Sequence, residues 1–140
     1  MASLDDIKRQ SEGHCDAAMG VCARDIDRQR WKLFFDEFSR DHKEAQVSVE
    51  IRGEASGGAH WLSEDSPLLG LVYLEKEREA GSVEVAIGGP GSGPVTHIVR
   101  DVQRVWQQQD QHGREFLQII SADGTSVIVT VINAPQRAGA

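Results

Sequence analysis

The sequence predicts an α+β domain in which an N-terminal amphipathic helix packs on a strongly curved, mostly antiparallel sheet or small barrel of about six strands. Three observations carry this. Trp31, Phe34, Phe35 and Phe38 fall at i, i+3, i+4 and i+7, one apolar stripe on an otherwise charged helix. Beyond it the apolar period shortens to two, in "QVSVEIR" and again in "SVEVAI". Near the end, "REFLQIIS", Asp123-Gly124 and "TSVIVTVIN" read as a hairpin, because Asp-Gly supplies the positive φ angles of a tight two-residue turn.

A chain of 140 residues is long enough to bury one core but not two. Apolar residues make up 39% and charged residues 26%, the balance of a soluble globular protein. No apolar run approaches the ~18 residues of a membrane span, and the first twenty residues lack an apolar signal core. The expected location is therefore cytoplasmic, away from membranes. The net charge is −7, and both parts of the chain are acidic, −2 over residues 1–45 and −5 over residues 46–140. A duplex-binding surface needs clustered Lys and Arg to displace counterions, and none is present, so no nucleic-acid partner is expected.

Residues 1–25 mix charged, small and glycine residues without a sustained period and are expected to be an N-terminal extension. The domain proper is expected over 26–134, with 135–140 as a tail. Cys15 and Cys22 lie seven apart; on a helix they would share a face about 10 Å from each other, too far for a disulfide. His14 beside Cys15 does not complete a ligand set, so no metal is expected.

Asp27 is placed to cap the helix N-terminus, and Ile26 and Trp31 match a hydrophobic staple. Three of the four phenylalanines lie on this helix, so its stripe is expected to close the core rather than to face a partner. "PLLGLVYLE" is apolar on both faces, like a central strand. Two long loops are expected. Residues 53–67, "GEASGGAHWLSEDSP", carry the adjacent pair His60-Trp61. The second, "IGGPGSGP", has glycines spaced like a phosphate-binding loop, but Pro94 and Val95 stand where Lys and Ser or Thr are required. It is expected to be a connection, and no cofactor is expected.

Residues 95–106 allow two readings. Val95, Ile98, Val99, Val102, Val105 and Trp106 recur at helical intervals; the alternative is a short helical turn from Thr96 followed by a strand over "QRVWQQQ". The order of the "WKLFFDEFSR" helix, "VSVEIRG", "PLLGLVY", "VEVAI", His97-Ile98-Val99 and "LQIISADGTSVIV" resembles the DUF5335 family of small bacterial proteins of unknown function, over roughly residues 26–134. The resemblance implies no activity and no catalytic residues. It does imply that His97-Ile98-Val99 opens a short turn before a strand, although Arg100-Asp101 stands where such proteins often carry a helix-breaking proline.

No hydrolase, metalloprotease or zinc-deaminase motif is present. The binding residues to examine are His60, Trp61, His97 and Asp101, with His97 and Asp101 forming the acid–base pair if there is one. The expected function is a non-catalytic binding or assembly module, with a protein partner or self-association through strand edges. The alternative is a small ligand-binding protein or enzyme with a site beneath the 53–67 and 88–95 loops. An RNA-binding barrel would suit the element order but conflicts with the charge.

Overall fold

A computed structural model describes residues 14–16, 21–53, 57–75, 81–89, 93–109 and 114–133. Two strands, β1 (His14–Asp16) and β2 (Val21–Asp25), come first; a 3-10 turn (Arg28–Arg30) leads into helix α1 (Trp31–Asp41). Seven strands follow: β3 (Gln46–Gly53), β4 (Gly58–Leu74), β5 (Ser82–Gly89), β6 (Gly93–Val99), β7 (Val102–Gln109), β8 (Glu115–Ser121) and β9 (Ser126–Asn133). Among the described residues they form one nine-stranded sheet in the order β1-β2-β7-β8-β9-β3-β4-β5-β6, and each neighbouring pair is antiparallel. The α+β class holds, but the sheet is open, with β1 and β6 at its ends, and the helix is preceded by two strands.

The aromatic stripe does what its spacing predicts. Trp31, Phe34, Phe35 and Phe38 are all buried, against a core that draws on every strand from β3 to β9. The Trp31 indole N–H donates to the Ile26 carbonyl at 2.9 Å, and its ring meets Tyr73 edge-on at 5.6 Å. Asp27 caps the 3-10 turn rather than the α-helix: its Oδ1 accepts from the Gln29 amide at 3.5 Å, and the α-helix begins four residues later.

Four expectations need correction. Residues 95–106 are not one helix: the strand read over "QRVWQQQ" is present as β7, but residues 95–99 before it belong to another strand, β6, rather than to a helical turn. Two local features mimic the helical spacing. Val99 and Val102 are separated by the tight Arg100-Asp101 turn, and Val102 and Val105 by a bulge between Val102 and Arg104, which leaves all three buried. The same device acts in β4. A bulge between Leu68 and Gly70 directs both Leu68 and Leu71 inward, while Leu69 and Val72 are exposed, so this strand is not buried on both faces.

The stretch 53–67 is not a long loop. Its described part from Gly58 onward is the first half of β4, paired with β3 from Gly53↔Gly58 to Gln46↔Pro67. Backbone pairing makes this strand with little help from apolar residues, and that is why no hydrophobic period betrayed it. The β8–β9 connection holds three residues, Ala122 to Gly124, between the bonded Ser121 and Thr125, and only Gly124 has a positive φ. Asp123 serves instead as an acceptor for the Thr125 amide at 2.8 Å and for the Ser121 hydroxyl.

The glycine-rich stretch joins β5 to β6, with Gly89 opposite Gly93. A strand follows it rather than a helix, so no helix N-terminus stands there to receive a phosphate.

Candidate functional site

His60 and Trp61 are consecutive in β4, and strand geometry sends them to opposite faces. His60 pairs with the buried Ile51, and His97 pairs with the buried Val85, so both histidines belong to the inward side of the sheet. His60 is exposed and His97 half-buried, and they lie near enough for their charges to interact. Burial pushes the His97 pKa down, and the nearby His60 and Arg100 push it the same way, so the neutral imidazole is favoured.

His97 and Asp101 line one hollow of about 620 Å³ with Arg100, Ser121, Asp123 and Thr125, floored by the buried Val99 and Val127. Asp101 has φ 50, a left-handed conformation that Asp tolerates better than most residues. The turn that holds it is pinned on both sides: Val102 N–H donates to Gly81 and Ala122 N–H donates to the Asp101 carbonyl, at 2.9 and 2.8 Å. Hydrogen bonds from Ser121 and Thr125 hold the Asp123 carboxyl below its usual pKa range.

Trp61 lies on the other face, 50% exposed, in a second hollow of about 390 Å³. Its neighbours there are Glu50 and Arg52 of β3, Gln108 of β7, Phe116 and Gln118 of β8, and Ile128 and Thr130 of β9. The four residues singled out from sequence thus divide: His97 and Asp101 at the inward hollow, His60 exposed on the same side without lining it, and Trp61 outside. The residues gathered around Trp61 gave no sequence signal, because only the register of five strands brings them together.

The lids expected over a site are largely strand, since residues 58–67 belong to β4 and residues 88, 89 and 93–95 to the β5–β6 hairpin. Among the described residues, no group of three or more His, Cys, Asp or Glu side chains could hold a metal ion, and no helix is long and apolar enough to cross a membrane. On the backbone, Cys15 and Cys22 are register partners across β1 and β2, so the helical separation considered above does not apply.

Fold and surface together define a small α+β domain: one open antiparallel sheet wrapped on a helix, with a hollow at the end of the curl and another on the outer face. The chain belongs to DUF5335, a family of unknown function, which matches residues 22–138. That match takes in nearly all of β2, a strand within the segment read from sequence as an extension. No curated protein and no solved structure matches the chain.

Proposed function

We propose that the chain is a non-catalytic binding or assembly module of the cytoplasm, with the outer face around Trp61 as its contact surface. One observation supports this above the others. A tryptophan half exposed in a hollow on a rigid sheet is a large, preorganised apolar surface that gains most from being covered by a ligand or partner. The expected occupant is another protein, a second copy of the chain or a small uncharged ligand, rather than nucleic acid or a membrane. Strand β6, at one end of the sheet, offers a second route to self-association by edge pairing.

Native mass spectrometry of the protein purified without added ligands tests the reading, with Trp61→Ala alongside. A dimer, or a reproducible added mass, that disappears in the variant supports it. A bare monomer in both, at every workable concentration, counts against it.

A second reading rests on the convergence of His97 and Asp101 on one hollow. It makes that hollow a small-ligand site, with the neutral His97 imidazole as the group able to accept a proton. An added mass lost in His97→Ala but kept in Trp61→Ala would favour it over the first.

A further inference from the structure

Strand β6 ends the sheet. It pairs with β5 from Gly93 to Val99, and among the described residues no strand lies on its other side. Alternate residues of an edge strand aim their amides and carbonyls outward, so β6 carries a row of backbone groups with no strand to meet them. Edges that stay single are usually guarded by charged side chains. Here Val95, Thr96, Ile98 and Val99 are β-branched, which favours pairing. His97 is the one titratable side chain of the strand, and its burial favours the neutral imidazole. Pro94 blunts the edge at a single position, beside the hairpin end.

The hollow of about 620 Å³ lies along this edge. His97 and Ile98 both line it although they point to opposite faces of β6, and no residue of β5 does. It therefore opens on the free side of the strand, between the second half of β6 and the β8–β9 turn. A strand laid on the edge passes through this hollow. Small residues suit it there, and the Asp101 and Asp123 carboxylates at the lining disfavour acidic ones.

Strand β6 itself meets these demands. Two copies set antiparallel about a two-fold axis at Thr96 bring Gly93 opposite Val99, Pro94 opposite Ile98, and Val95 opposite His97. The residues entering each hollow are then Gly93, Pro94 and Val95 of the other copy, none of them charged. On the inward side, Val95, 37% exposed in the single chain, is covered by His97 of the other copy. On the outward side a threonine pair forms between the two Ala86 residues, the register partners of Thr96. No like charges are opposed, although the whole chain carries −7 and repels its copies elsewhere.

We propose that the protein forms a two-fold dimer by antiparallel pairing of β6 with β6 of a second copy, centred on Thr96. This rests on the reading of the chain as an assembly module, and it names the partner and the register.

The test is sedimentation equilibrium of the full chain from about 5 to about 500 µM, a range that suits an interface as small as one strand edge. A monomer–dimer equilibrium is expected. Thr96→Arg sets two like charges face to face and should weaken it by about tenfold or more, whereas Thr96→Val should keep it. Thr96 is exposed, and the melting temperature of each variant reports its folding. Directly opposed residues of an antiparallel pair have Cα atoms about 4.5 or 5.5 Å apart, both within disulfide reach. With Cys15 and Cys22 replaced by Ser, Thr96→Cys should therefore oxidise to a symmetric dimer. Val72→Cys, exposed but two strands away, should not.

A monomer across the whole range overturns the proposal, as does a Thr96→Cys protein that fails to cross-link. A dimer unmoved by Thr96→Arg but lost in Trp61→Ala overturns it too, and leaves the assembly-module reading standing. Absence of any dimer or added mass, in every variant, would end both.

Discussion

The Ser39 hydroxyl exchanges two hydrogen bonds with the backbone of Leu71, donating to its carbonyl at 2.9 Å and accepting from its amide at 2.8 Å. Strand β4 pairs with β3 only as far as Pro67, so past that point the edge turned away from β5 has no strand beside it. The helix and its exit take over. Ser39 serves Leu71, while Leu68 donates to Ala45 and accepts from Glu44 at 2.9 and 2.8 Å. One side chain thus replaces a missing strand at a buried position.

Ser39→Ala should therefore cost more than one hydrogen bond. It leaves an amide and a carbonyl of a buried residue without partners, at about 1–3 kcal/mol for each group. A drop of about 2–4 kcal/mol in unfolding free energy, at an unchanged denaturant slope, is the expected outcome in urea. A loss below about 0.5 kcal/mol would mean that water reaches this edge.

Two aromatic truncations should separate core from surface. Phe35→Ala removes a fully buried ring from the face of α1 and should cost about 3–5 kcal/mol. Trp61→Ala should cost about 1 kcal/mol or less, because half of that side chain is already in water. Comparable melting-point losses for the two would contradict the assignment of Trp61 to the outer surface.

His97 gives a pH signature. Its folded pKa lies below the ordinary histidine value of about 6.5, so the unfolded chain binds the proton more readily. The stability from keeping this imidazole neutral is complete above the unfolded pKa. It declines as the pH falls through about 6.5 towards the folded value and levels off below it. His97→Gln should flatten that part of the profile, read as urea midpoints between pH 7.5 and 5. An equal slope in wild type and variant would assign it to other groups.

The left-handed turn residue offers a backbone test. At φ 50, Asp101→Gly should be neutral or slightly stabilising, whereas Asp101→Val should cost about 1–2 kcal/mol, since a branched Cβ is crowded there. Thermal melts of the two variants check this. A valine variant as stable as wild type would show that the turn relaxes to another conformation.

These residues also mark what could be read without a structure. The helix, its buried stripe, β3, β5 and the β8–β9 pair were legible because each carries an uninterrupted period. Where the chain adds a residue to a strand, the period breaks, and Val102, Val105 and their neighbours then imitate a helix. Strand β6 and the first half of β4 were missed for a different reason: most of their first residues are exposed, so backbone pairing holds them without an apolar pattern. The candidate residues were legible as individuals. Their division between two faces was not, because Trp61 meets Gln118 and Ile128 only through the stacked registers of β4, β3, β9 and β8.

The bulges in β4 and β7 also decide where the chain can change length. Leu69 and Gln103 are the surplus residues of their ladders; the positions beside them already face their partners in phase. Losing either would shorten the strand and straighten the ladder while every remaining side chain kept its side. Losing Val85 or Leu117 instead would exchange inside for outside along the rest of the strand. Single-residue gaps among family members should therefore collect at such surplus positions, and a ΔGln103 protein should fold where a ΔLeu117 protein does not.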